Sequence, residues 1–126
     1  MNIAVIGSRD FEDYPLLEKV LNRFDIHLIT SGGTKGADSL AEEYAKNKGI
    51  EINVIEAKWD DFSEPCVIKY NQYGKKYNTL AGFKRNQEII KAVDVVIAFW
   101  DGKSPGTRDS IKKAEQLEKT VIVVIF

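Results

Sequence analysis

The sequence predicts an α/β domain of three layers, helices covering both faces of a mainly parallel five-stranded sheet. Three observations carry that expectation. Short apolar runs rich in β-branched residues recur along the chain, helical patterns separate most of them, and glycine-rich turns follow several of the runs. The first run is Asn2 to Ile6, followed by a helical pattern of Leu16, Leu17, Val20, Leu21 and Phe24 with Pro15 near its first turn. Ile26 to Thr30 reads as the second strand, and Ala37, Leu40, Ala41, Tyr44 and Ala45 as a second helix that Gly49 stops. Ile50 to Ile55 is the third strand. Beyond the segment Glu56 to Leu80, a helix over Ala81 to Ala92 carries Ile89, Ile90 and Val93 on one side. The strand Asp94 to Phe99, the helix Gly106 to Leu117 with Ile111, Ala114 and Leu117, and the strand Thr120 to Phe126 complete the alternation.

Length and composition narrow the function classes. With 126 residues, 44% hydrophobic and 29% charged, the chain fits one domain over 1–126 with a core of its own. A formal net charge of -1 provides no global basic field, so nucleic acid is not an expected partner and any anion must be held locally. Cys66 is the single cysteine, which suits a structural thiol and a reducing, cytoplasmic setting. His27 is the single histidine and reads as a structural imidazole inside the second strand. No metal cluster and no cofactor is expected. The opening residues show neither a signal peptide nor a membrane-spanning pattern, so no membrane partner is expected.

The chemistry gathers in loops that end on one predicted edge of the sheet. Ser31-Gly32-Gly33-Thr34-Lys35-Gly36-Ala37-Asp38 joins a strand to a helix, where glycines permit close backbone approach and the first helical turn offers free N–H groups. This is the chemistry of a phosphate cradle, with Thr34 and Lys35 as further phosphate or ribose contacts. Asp38 either accepts a hydrogen bond from a sugar hydroxyl or caps the helix. The glycine spacing matches neither the Walker loop nor the dinucleotide fingerprint, which disfavours hydrolysis of nucleoside triphosphates by that route. Gly7-Ser8-Arg9 after the first strand adds a hydroxyl and a planar fork of donors. Arg85-Asn86 belongs to the third helix, and Trp100-Asp101-Gly102-Lys103-Ser104-Pro105-Gly106-Thr107 leads into the fourth with further hydroxyls and amides. Sheets of this kind bind ligands outside the carboxyl ends of their strands, where the strand order reverses. Glu56 to Leu80 is longer than such a connection needs and reads as a lid or a solvated loop; its Trp59, Tyr70, Tyr73 and Tyr77 lie among Lys69, Lys75 and Lys76.

Taken together, Gly7-Ser8-Arg9, Ser31-Gly32-Gly33 with Gly36-Ala37-Asp38, Ala81-Gly82 with Arg85-Asn86, and Phe99-Trp100-Asp101-Gly102 with Ser104 and Gly106-Thr107 resemble the SLOG superfamily, in particular its small YspA/YpsA-like branch. The resemblance implies a Rossmann-like domain whose loops bind a nucleotide or a nucleotide-derived small molecule, whether a nucleoside phosphate or an ADP-ribose or NAD-related compound. It includes the LOG phosphoribohydrolases, the DNA-processing protein DprA and sensor domains for ADP-ribose-type signals. Binding or sensing without catalysis is the leading expectation. The phosphoribohydrolases carry Pro-Gly-Gly-x-Gly-Thr-x-x-Glu, whereas this chain has Ser104-Pro105-Gly106-Thr107-Arg108-Asp109-Ser110, with Ser110 where that glutamate stands. A hydroxyl cannot replace a carboxylate as acid, base or cation stabiliser. The enzyme alternative is a hydrolase using Asp38, Asp101 or Asp109, and the other is a DprA-like single-strand DNA binder or an adaptor. Related domains often pair through helices, which makes a homodimer a candidate assembly.

Overall fold

β1 (Asn2–Gly7) forms where alternate apolar residues can be buried on both sides: Ile3 and Val5 enter one hydrophobic core, Ala4 and Ile6 the other. The computed structural model describes residues 1–126. α1 (Tyr14–Leu21) begins at Asp13, whose carboxylate accepts from the Leu16 amide at 3.1 Å, and buries Leu17 and Leu21. Next come β2 (Leu28–Ser31), α2 (Ala37–Lys48) and β3 (Glu51–Val54); Gly49 closes α2 in the left-handed conformation, with φ 67°. The chain continues through β4 (Ile68–Tyr70), β5 (Lys76–Asn78), α3 (Ala81–Lys91), β6 (Val95–Trp100), α4 (Pro105–Gln116) and β7 (Thr120–Ile125).

The main sheet has the order β3-β2-β1-β6-β7, and every pair in it is parallel. Helices α1 and α2 cover the face that carries Ile3, Val5, Ile29, Ile97 and Phe99, while α3 and α4 cover the face of Ala4, Ile6, Val96 and Ala98. This is the expected three-layer Rossmann-like architecture. From β1 the chain first builds outward to β3 on one side and later returns through β6 to β7 on the other. The reversal opens a crevice at the carboxyl ends of β1 and β6.

Four expectations need correction. The segment Glu56 to Leu80 is neither a featureless loop nor a simple lid: it contains the antiparallel hairpin β4–β5, registered Lys69 to Tyr77, which adds two strands to the predicted order. Asn71 shapes the turn, accepting from the Tyr73 and Lys75 amides at 2.9 and 3.0 Å. The third main strand spans only Glu51–Val54, and the first helix stops at Leu21, leaving Phe24 to pack from the connection beyond it. His27 precedes β2 instead of lying inside it; its ring is exposed and meets the Met1 amino group through Nδ1. No helix is long and apolar enough to cross a membrane.

Candidate functional site

Close packing at two glycines brings the loops together. A side chain on Gly7 would put its Cβ 2.7 Å from that of Ala37, so the bare backbone lets the start of α2 seat against the end of β1. Gly36, at φ 77°, abuts the Ser8–Arg9 backbone, where a Cβ would come within 2.7 Å of Arg9 C and O. The two loops are thereby locked side by side. Opposite them, the Trp100–Thr107 loop is held by Asp101, whose Oδ1 accepts from the Lys103 and Ser104 amides, both at 2.8 Å. Ser8 ties this loop to the first: its Oγ accepts from the Asp101 amide at 3.2 Å and lies 3.0 Å from Ser104 Oγ.

An inner cavity of about 330 Å³ lies within this frame. Gly7, Ser8 and Arg9 line it from β1, Gly32, Thr34 and Asp38 from the β2–α2 loop, and Arg85 and Asn86 from α3. Ser104, Gly106 and Thr107 close it at the start of α4. Eleven of the sixteen predicted ligand residues therefore share one cavity. Gly33 lines an adjoining outer cavity of about 400 Å³ that shares Arg9, Gly32, Thr34, Arg85, Asn86 and Gly106 with the inner one.

The remaining predicted residues stand elsewhere for identifiable reasons. Ser31 is the last residue of β2 and fully buried, and its hydroxyl has no hydrogen-bond partner. Lys35 is exposed on the loop's outer side, and Gly36 is spent on packing. Asp101 lines neither cavity because its carboxylate shapes its own loop; the Ser104 and Lys103 amides hold its pKa below the ordinary value. Asp109 turns away and pairs with Lys113 at 2.6 Å, one helical turn on. Of the three carboxylates named for a hydrolase, Asp38 alone faces the cavity. Residues absent from the expected set also line the inner cavity: Ile6, Ile89, Pro105 and Ser110. Ser110 stands where the phosphoribohydrolase motif has its glutamate, and the three-residue spacing from Thr107 on one helical face is the signal that places it there.

Charge in the cavity is arranged around two arginines. Arg85 donates from Nη1 to the Gly32 carbonyl at 2.8 Å and from Nε to Asn86 Oδ1 at 3.0 Å, while Asn86 reaches the Gly106 carbonyl at 3.4 Å. Burial lowers the Arg85 pKa, the Asp38 charge opposes that shift, and the charge of nearby Arg9 reinforces it. Arg9 takes part in no ion pair. Asp38 does not cap α2, whose N-cap is Gly36; its Oδ2 instead accepts from Thr34 Oγ1 at 2.7 Å and from the Thr34 amide at 3.2 Å, organising the glycine loop. Burial raises its pKa above the ordinary 3.8, against the Thr34 bonds and the Arg85 charge. At α4, Pro105 occupies the first turn and no side chain caps the helix, so the Gly106 and Thr107 amides meet the cavity without a capping partner.

Residues 1–62 match the profile of the YspA, cpYpsA-related SLOG family. The SLOG kinship read from the motifs therefore stands for that part of the chain, which includes the Gly7-Ser8-Arg9 turn and the glycine loop. No curated protein matches the chain. Among solved structures, DNA processing protein A from Streptococcus pneumoniae superposes with a TM-score of 0.74 at 22% identity, over 97% of this chain and 49% of its own. DNA processing protein A from Helicobacter pylori, described for its single-stranded DNA binding mode, gives 0.67 at 22% identity over 98% of this chain and 64% of its own. The protein TM1055 gives 0.63 at 18% identity, over 95% and 71%. These likenesses show a shared Rossmann-like fold, and the chain spans about half to two thirds of the length of the two DNA processing proteins. They also correct the expectation that sets nucleic acid aside as a partner, since one protein of this fold is described binding single-stranded DNA. A net charge of -1 over the whole chain does not describe local charge: Val67 to Thr79 holds three lysines and no acidic residue.

Proposed function

We propose that this chain binds a nucleotide-derived, phosphate-bearing small molecule in the crevice at the carboxyl ends of β1 and β6, and holds it without cleaving it. The observation that carries the reading is the pair of guanidinium groups, Arg9 and Arg85, facing one cavity in which Asp38 is the only acidic side chain. Hydroxyls of Ser8, Thr107 and Ser110 and the uncapped amides of α4 line the same space. An anion between the arginines relieves their mutual repulsion and meets donors suited to phosphate geometry. Ser8, Ser104 and Thr107 are assigned to phosphate or ribose oxygens, and Gly32 and Gly106 to close backbone approach. Asp38 is the only carboxylate lining the inner cavity, which supports binding over hydrolysis there, because glycosidic cleavage draws on paired acid and base groups.

Calorimetry with ribose 5-phosphate, nucleoside monophosphates and ADP-ribose tests the reading. At least one binds, and Arg9→Ala weakens it by roughly 10- to 150-fold, the worth of a charge-assisted hydrogen bond. No binding of any of them sinks the proposal. Chromatography of the same mixtures at high protein concentration checks the second half: released base would refute the absence of cleavage.

The hairpin favours a second reading, in which a single-stranded nucleic acid contacts β4–β5. Tyr70 and Tyr73 are 69% and 85% exposed, among Lys69, Lys75 and Lys76. Exposed aromatic rings between cations are the ingredients of a sequence-tolerant stacking platform. Fluorescence anisotropy with an oligonucleotide then shows affinity that falls with salt and falls again in Tyr73→Ala; salt-independent or absent binding excludes it.

A further inference from the structure

The outer cavity has a composition that the phosphate reading leaves unused. Two large aromatic side chains stand on its wall with much of their surface in solvent, Trp59 at 47% and Phe83 at 38% exposed. Trp59 is nonetheless held in place. Its indole meets the Tyr77 ring edge-on at 6.3 Å, lies against the start of α3 at Gly82, and its carbonyl accepts from the amide of the buried Asn78 at 2.7 Å. Glu56 contributes a carboxylate to the same cavity and takes part in no ion pair, although Arg9 and Arg85 line the space with it. A carboxylate beside the proposed phosphate position repels the phosphate, but it can accept hydrogen bonds from another part of the ligand.

We propose that the outer cavity is a nucleobase subsite, with Trp59 as the stacking face and Glu56 as the acceptor on the base edge, and that the base it selects is guanine. The proposal rests on the reading that the ligand phosphate lies at Arg9 and Arg85. Those residues, with Gly32 and Asn86, border both cavities, so one molecule can place its phosphate at the junction and its base beyond it. An exposed, positioned indole gains stacking energy from any base. Selection comes from Glu56, because two carboxylate oxygens match adjacent ring and exocyclic N–H donors. Guanine presents that pair on its Watson–Crick edge and adenine does not.

Calorimetric titration with GMP, IMP, AMP and ribose 5-phosphate tests this on the full chain and on Trp59→Leu and Glu56→Gln. Both side chains are exposed, and thermal denaturation of each variant verifies that the fold persists. GMP is expected to bind about tenfold or more tightly than IMP or AMP, the discrimination typical of a bidentate pair. Each variant loses at least about tenfold for GMP, while ribose 5-phosphate affinity is unchanged in Trp59→Leu and is not weakened in Glu56→Gln, which removes a repelling charge. Equal binding of GMP and ribose 5-phosphate, with both variants silent, overturns the subsite and leaves the phosphate reading standing. Equal binding of GMP and AMP overturns the assignment of Glu56. If ribose 5-phosphate and all three nucleotides fail to bind, the phosphate reading falls and this proposal with it.

Discussion

Replacing Asn78 by leucine should detach the segment between β3 and α3 while leaving the main sheet folded. From Glu56 to Leu80, Asn78 is the only buried residue, so little hydrophobic burial holds this part of the chain. Its side chain takes that role through four contacts. Oδ1 accepts from the Val67 and Leu80 amides at 3.1 and 3.0 Å, and Nδ2 donates to the Asp61 and Pro65 carbonyls at 3.1 and 3.4 Å. Leucine has a similar volume and none of these groups, so two part-buried amides lose their acceptor. At about 1–3 kcal/mol for each group left unsatisfied, discounted for partial access to water, the loss is about 2–4 kcal/mol. Hydrogen exchange by mass spectrometry reads this directly. Protection of the hairpin amides should fall roughly 30- to 700-fold, with protection of β1 and β6 unchanged. Unchanged hairpin protection, or equal losses in hairpin and sheet, would refute the argument that one side chain holds a separate unit together.

Two glycines of positive φ but different ψ, 29° at Gly49 and -126° at Gly36, should respond differently to alanine. Gly49→Ala meets nothing within 4 Å and costs only the left-handed conformation, about 1 kcal/mol, whereas Gly36→Ala combines a backbone region that side chains avoid with a collision against the Ser8–Arg9 backbone and costs about 3 kcal/mol or more in urea denaturation. Equal costs would show that the two loops are not locked by close packing. The raised pKa of Asp38 means that the folded chain holds a proton the unfolded chain releases, so this group's contribution to stability is present at low pH and lost as pH rises through its folded titration. Asp38→Asn should flatten that slope in denaturation series carried upward in pH from the ordinary carboxylate value of 3.8; an unchanged slope contradicts the burial argument. Asp61 has the opposite sign: the Ser63 hydroxyl and amide lower it to about 2, so its contribution is present above the ordinary carboxylate range and lost as pH falls through about 2. Asp61→Asn should therefore steepen no part of the profile near neutrality.

Much of the fold was legible because parallel strands buried on both faces have to be written as continuous apolar runs, as in Ile3 to Ile6 and Val95 to Phe99. Helix ends were legible where a single residue decides them, as Gly49 does for α2. The hairpin was not. Its strands have three residues each, too few for a two-residue period to stand out, and its clearest signal, Asn71 followed by Gly74 between tyrosines, is a turn signature and not a strand pattern. In the site, sequence order identified which loops converge but not which way each side chain turns. Asp109 and Ser110 are adjacent in sequence, and one helical step of about 100° sends the first to Lys113 and the second to the cavity. Asp101 was read as a ligand contact, yet its carboxylate shapes the loop that carries Ser104, a role that depends on backbone amides rather than on residue types.

The central claim is that a phosphate group occupies the space between Arg9, Arg85 and the start of α4. Titration of the isotopically labelled chain with a nucleoside monophosphate, followed through backbone amide resonances, tests it most directly. The account predicts saturable shifts concentrated at Gly32, Gly106 and Thr107, with a half-saturation point that rises roughly 10- to 150-fold in Arg9→Ala. Shifts confined to the far edge of the sheet around β7, or shifts at these amides that saturate at the same concentration without Arg9, would contradict it.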